Sequence, residues 1–168
     1  MFRPLLYIVL FIIPYLSFSQ PLKLKFKRIS IEQGLSNSTI ETIYQDKRGF
    51  IWIGTRDGLN RYDGYQMVVY RYDPKNAGSI SDNYIRCIYE DRNQNLWVGT
   101  TNGLNRLDPA KNSFTRYKHI PGNPQSLSNN LVTCIYEDPN KRLWVSTYGG
   151  GINLFQPGEG GEIGRAHV

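Results

Sequence analysis

The chain has 168 residues, a size suited to one domain, and 40% of them are hydrophobic, with 12 Tyr, 7 Phe and 3 Trp beside 16 Gly and 9 Pro. Such a mixture of aromatics and turn formers suits many short strands joined by tight turns rather than long helices. The formal charge of +6 is dispersed, its densest group (Lys23, Lys25, Lys27 and Arg28) alternating along a predicted strand, so the concentrated basic stripe of a nucleic-acid binder is absent and nucleic acid is not an expected partner.

At the N-terminus, Met1-Phe2-Arg3 makes a short positive start and Leu5 to Leu16 is almost wholly apolar. Ser17-Phe18-Ser19 then puts small residues where a signal peptidase reads, which predicts a secretory signal over residues 1–19 and a mature start at Gln20. The apolar stretch is short for a membrane span of about 20 residues, and no Cys follows it to carry a lipid. Export is the expectation. Next, Leu24-Lys25-Phe26-Lys27-Arg28-Ile29 resembles the later strand Phe114-Thr115-Arg116-Tyr117. It reads as a lone outer strand without its own sheet.

From residue 35 onward the chain repeats itself. Three units, about 35–78, 79–126 and 127–157, align on Trp52, Trp97 and Trp144, spaced by 45 and 47 residues. The first reads Leu35-Ser36-Asn37, Ile43-Tyr44-Gln45-Asp46, Ile51-Trp52-Ile53-Gly54-Thr55 and Gly58-Leu59-Asn60-Arg61. The second reads Ile80-Ser81-Asp82, Ile88-Tyr89-Glu90-Asp91, Leu96-Trp97-Val98-Gly99-Thr100 and Gly103-Leu104-Asn105-Arg106. The third reads Leu127-Ser128-Asn129, Ile135-Tyr136-Glu137-Asp138, Leu143-Trp144-Val145-Ser146-Thr147 and Gly150-Gly151-Ile152-Asn153. Each unit predicts a strand ending at an Asp turn, a strand centred on the Trp, a Gly turn, a third strand, and a fourth at Met67 to Tyr72 or Ser113 to Lys118. Every apolar run is broken by Gly, Asn or Asp before it reaches helical length, which excludes a helical solenoid. Four strands in about 45 residues, repeated, is the pattern of propeller blades. The predicted fold is therefore all-β: a partial β-propeller over 20–157 of about three four-stranded antiparallel blades, plus the lone N-terminal strand that would close the ring. The three tryptophans are expected to wedge between neighbouring blades as core.

Cys87 and Cys134 hold equivalent places, ten residues before a Trp, and read as small buried residues rather than a disulfide. Asp91-Arg92-Asn93-Gln94-Asn95 imitates the start of a calcium loop, but Leu96 stands where its Gly belongs and Asn102 where its Glu belongs, so a turn is expected and no metal. Residues 158–168 break the pattern, and Glu162 to Val168 look like a translated adapter; a non-native or truncated tail is the reading. A ring of four to eight blades cannot close on these units, which makes the chain a fragment that should expose strand edges and aggregate.

These residues resemble the two-component regulator propeller repeats, whose hallmark is close to Leu-Ser-Asn, Ile-Tyr-Glu-Asp, Asn-Leu-Trp-Ile-Gly-Thr and Gly-Leu-Asn-Arg. The resemblance covers residues 22 to 157 and is closest in the second unit; the third departs at Ser146 and by one extra residue at Gly149-Gly150-Gly151. It implies the periplasmic sensor region of a membrane-anchored, homodimeric hybrid histidine kinase that detects oligosaccharides, with the kinase parts beyond this chain. No kinase motif has a matching position here, so the chain itself is expected to lack catalytic residues and cofactors.

Within a propeller, the turns between second and third strands share one face with the connectors entering each blade. There the units differ, at Arg56, Asp57, Thr101, Asn102 and Tyr148, which are the candidate ligand-binding residues. A secreted propeller lyase is the enzymatic alternative, yet general acid–base chemistry usually recruits His, and the chain has only His119 and His167. A scaffold or adhesion propeller is the third reading.

Overall fold

The computed structural model describes residues 24–155 together with the backbone of 163–165; the predicted signal peptide and most of the 158–168 tail lie outside the described residues. The first sheet is formed by β1 (Ile40–Gln45), β2 (Ile51–Thr55), β3 (Gly58–Tyr62) and β4 (Met67–Tyr70), antiparallel and in sequence order. The second repeats it with β5 (Ile85–Glu90), β6 (Leu96–Thr100), β7 (Gly103–Asp108) and β8 (Ser113–Tyr117). The third comprises β9 (Val132–Glu137), β10 (Leu143–Thr147), β11 (Gly151–Phe155) and β12 (Ile163–Arg165). Each is one blade, and the 3-10 turn Ile31–Gln33 is a small exception to an all-β chain. No helix among the described residues is long and apolar enough to cross a membrane.

Stacking of blade on blade makes the core. Trp52, Leu59 and Tyr70 of the first blade pack on Ile80, Ile85, Ile88, Leu96 and Val98 of the second. Trp97 and Leu104 of the second pack in the same way on Leu127, Val132, Ile135, Leu143 and Val145 of the third. Trp52 is 0% and Trp97 1% exposed, as the wedge reading requires. Trp144 is only half-buried, because among the described residues no fourth blade covers it.

Three polar motifs account for the residues that repeat. Asp46, Asp91 and Asp138 each accept the indole N–H of the tryptophan six residues on, at 2.9, 2.8 and 3.0 Å, while also holding backbone N–H groups of their own turn. Asn60, Asn105 and Asn153 sit fully buried and accept from the backbone of Ser36, Ser81 and Ser128 at 2.9 Å each. The same serines share a 2.8 Å hydroxyl contact with Thr55, Thr100 and Thr147. Thus Leu-Ser, Gly-Thr and Leu-Asn-Arg are a hydrogen-bonded frame whose buried polar groups satisfy each other.

The segment Leu24 to Ile29, read as a strand that would complete a last blade, is unpaired here because no such blade lies among the described residues. Two expectations need correction. Cys134 is exposed rather than buried, again because its face is uncovered; Cys87 is largely covered, and both are free thiols. Finally, the backbone of Ile163–Arg165, inside the tail read as outside the pattern, pairs with β11 in the place held by β4 and β8 in the other blades.

Candidate ligand-binding face

Hydrogen bonds fix which loops share a face. Gly58 N and Gly103 N of the second-to-third-strand turns donate at 2.8 Å to the carbonyls of Asn83 and Asn130, on the connectors entering the next blade. Thr101 N donates to Tyr84 O at 3.2 Å and Tyr148 N to Leu131 O at 2.9 Å. Arg56, Asp57, Thr101, Asn102 and Tyr148 therefore lie on one face, distributed over three successive blades. Both glycines have φ near +130, and a Cβ on either would meet the carbonyl of Tyr70 or Tyr117 within 3 Å, so these turns admit only glycine.

The five predicted residues differ in what they are free to do. The backbone N–H groups of Asp57 and Asn102 donate to Thr55 and Thr100, while the Asp57 carboxylate accepts from Arg71 Nη2 at 3.0 Å and Asn102 Nδ2 reaches the Ser81 carbonyl at 3.5 Å, so both side chains are already engaged. Thr101 is half-buried, whereas Tyr148 is 71% exposed. Arg56 leads elsewhere. Its Nε donates to Glu41 Oε1 at 2.7 Å, and its guanidinium lies over the Tyr84 ring, 5.3 Å from the centroid. Tyr84 Oη donates to the same Glu41 oxygen at 3.0 Å, and Arg86 lies over the same ring at 5.4 Å while reaching Glu41 at 3.9 Å. The Arg56 hydrogen bond is the main reason the Glu41 carboxyl is held below its ordinary value. Glu41 and Arg86 come from different blades, so the cluster spans the junction between the first two.

Glu41, Tyr84 and Arg86 escaped the sequence reading. Each inner strand breaks register at one residue: between Ile40 and Thr42, between Ile85 and Cys87, and between Val132 and Cys134. The residue left out of the pairing is Glu41, Arg86 or Thr133. A bulge of this kind re-aims a side chain without disturbing the strand beyond it. Its signal was present as a position that changes completely inside a strand that otherwise repeats. Tyr84 corresponds likewise to Thr39 and Leu131. The face therefore offers an aromatic ring, two guanidinium groups and a carboxylate. Among the described residues, no group of three or more His, Cys, Asp or Glu is placed to hold a metal.

Comparison with known proteins bears on what carries such a face. The family model for the two component regulator propeller matches residues 34–57, 79–102 and 126–149, one match per blade. A curated relative, histidine kinase P4 of Formosa agariphila, is 48% identical over 56 residues, which are 33% of this chain and 4% of that protein. The solved extracellular domain assigned to a hybrid two component system of B. thetaiotaomicron superposes with a TM-score of 0.75 at 36% identity, covering 84% of this chain and 20% of its own. A second extracellular domain of that kind from the same organism gives 0.66 at 31% identity, over 79% and 19% of the two chains. Virginiamycin B lyase from Staphylococcus aureus, at 19% identity and a TM-score of 0.56, shares the fold alone. The chain thus spans about a fifth of the two solved extracellular domains and far less of the curated kinase.

Proposed function

We propose, from the premise that this chain is built of two-component regulator propeller repeats and is a propeller segment of hybrid two-component sensor type, that it forms part of a ligand-sensing ectodomain. The parent protein in this reading is a membrane-anchored, homodimeric histidine kinase with the propeller on the periplasmic side. Its ligand is an oligosaccharide, bound on the face that carries Arg56, Thr101 and Tyr148 together with Glu41, Tyr84 and Arg86. One observation carries the proposal: on this face the bulged positions Glu41, Arg86 and Thr133 and the neighbouring Thr39, Tyr84 and Leu131 change from blade to blade, while the Asp–Trp and Ser–Thr–Asn frames beneath them are kept in all three. Frame residues answer to folding; what varies on a fixed frame is free to answer to a ligand. An aromatic ring flanked by a few charged hydrogen-bonding groups is suited to a sugar, whose ring faces are apolar and whose edges carry hydroxyls.

Calorimetry of the complete ectodomain against a panel of glycan fragments tests the reading. The expected result is one fragment class that binds, with affinity falling at least about tenfold in Arg86→Ala and Tyr84→Ala, a loss of about 1.4 kcal/mol. No binding across the panel, beside measurable lyase turnover, would replace the sensor by the enzyme; no binding and no turnover would favour a scaffold. Fold likeness is the sole support for the lyase, and the His119 ring is engaged with the Leu127 carbonyl at 2.7 Å.

A further inference from the structure

The outward face of the third blade is chemically unlike the outward faces of the first two. An apolar hollow lies on it, lined by Cys134, Tyr136, Trp144, Ser146 and Ile152. Tyr136 and Ile152 are each 55% exposed, whereas Leu59 and Leu104, which hold the place of Ile152 in the earlier blades, are 0% exposed under the next blade's inner strand. This face continues an interface that the chain has already built twice, and its natural occupant is a further four-stranded blade. Two residues make it a different kind of blade.

Steric fit is the first constraint. Gly54 and Gly99 let the following inner strand come close: a Cβ on Gly54 would stand 2.6 Å from Ile85 Cγ2, and one on Gly99 2.6 Å from Val132 Cγ1. In the third blade that place is taken by Ser146, which already has a Cβ and whose hydroxyl contacts Thr133 Oγ1 at 2.8 Å. A β-branched residue at the usual spacing would collide with it. The second constraint is a missing donor. Lys47 N donates to Glu90 of the next blade at 2.9 Å, and Arg92 N to Glu137 at 3.0 Å, which stabilises glutamates only 8% and 7% exposed. Pro139 stands at this position in the third blade and has no N–H. A glutamate brought to it would be buried without that donor, a costly arrangement.

We propose that the face around Trp144 seats a following blade whose inner strand carries glycine or alanine opposite Ser146, where Ile85 and Val132 stand in the earlier blades. By the same argument an uncharged residue faces Pro139, where Glu90 and Glu137 stand. The third junction is then not interchangeable with the first two, and the blades can stack in one order only. Nothing in this depends on a ligand.

The test is made on the complete ectodomain of the parent reading frame, by its crystal structure and by the chemistry of Cys134. Glycine or alanine opposite Ser146 and an uncharged residue opposite Pro139 are expected. Alkylation of Cys134 should be slowed more than about tenfold relative to the 168-residue chain, since covering removes it from solvent. Ser146→Val should lower the thermal midpoint while Ser146→Gly leaves it close to the parent's. Val or Ile opposite Ser146, or Glu opposite Pro139, overturns the proposal. So does a reactive Cys134 with a midpoint indifferent to Ser146→Val, or a second copy of the chain found over Trp144 in place of a blade.

Discussion

At the scale of single residues, the aspartate that ends each inner strand does more than turn the chain. Asp91 Oδ1 accepts from the Asn95 N–H at 2.8 Å, while Oδ2 accepts from Asn95 Nδ2 and from the Trp97 indole, both at 2.8 Å. Asp91→Asn would turn an amide donor toward one of these donors, leaving a buried N–H unpaired. The expected loss is about 1–3 kcal/mol in urea unfolding of the complete ectodomain. A Trp97→Phe partner mutation that removes the indole donor should recover part of it in a double-mutant cycle. Additive losses would mean that Asp91 and Trp97 are not coupled. The third copy adds a pH dependence. Burial works to raise Asp138, but hydrogen bonds from Arg142 N, the Trp144 indole and the Arg142 guanidinium outweigh it and pull its pKa from 3.8 down to about 2. A carboxylate depressed in the folded state contributes stability above its unfolded value and loses it as pH falls through the folded one. Urea midpoints measured between about pH 5 and about pH 2 should therefore fall more steeply for the parent than for Asp138→Asn. Equal slopes would remove Asp138 from the acid response.

Elements are held at their spacing by what is missing from them. Gly54 and Gly99 lie in the middle strands with ordinary strand geometry, and their value is absence of a Cβ where the next inner strand crosses. Gly99→Ala would place a methyl 2.5 Å from Cys87 Sγ and 2.6 Å from Val132 Cγ1, an overpacking expected to cost about 1–3 kcal/mol by thermal or urea unfolding. A neutral result would mean that the second and third blades can separate without cost. These strands were legible beforehand because Asp, Gly and Trp recur at fixed offsets, and their hydrogen bonds give each offset a reason. The segment Leu24 to Ile29 marks the limit of that legibility: alternation shows that a segment is able to be a strand, while pairing depends on a neighbour that no local pattern specifies. The binding face was half legible. Arg56 and Tyr148 stand on turns that the repeat exposes, but Glu41 and Arg86 reach the face through one-residue bulges, whose trace in the sequence is only a position that varies within a strand that otherwise repeats. Gln94 and Lys141 were equally hidden, taking φ of 65 and 63 where the first turn uses Gly49 at 90.

For the whole molecule, stability is a sum over blades and junctions, as in other stacked repeats, and each blade is completed by the next. Two junctions are closed here, burying Trp52 and Trp97, while Trp144 is left half-covered beside Tyr136 and Ile152. On the opposite side of the stack, Ile43 of the first blade is 66% exposed, although its counterparts Ile88 and Ile135 are 8% and 6% exposed at the closed junctions. The chain thus presents two unlike apolar faces at its two ends, one shaped to follow a blade and the other to precede one. Head-to-tail contacts between such faces do not close on themselves and generate open assemblies. A chain of residues 20–168 should accordingly self-associate in a concentration-dependent series in sedimentation velocity. A Tyr136→Lys/Ile152→Lys double substitution at exposed positions should return it toward monomer, because each lysine places a charge where apolar area would otherwise be buried at about 25 cal/mol per Å². If further blades cover both faces, as proposed above, the complete ectodomain should show no such series. A monomeric 20–168 chain at high concentration would mean that these end faces do not have the adhesive character that two buried copies of the same interface assign to them.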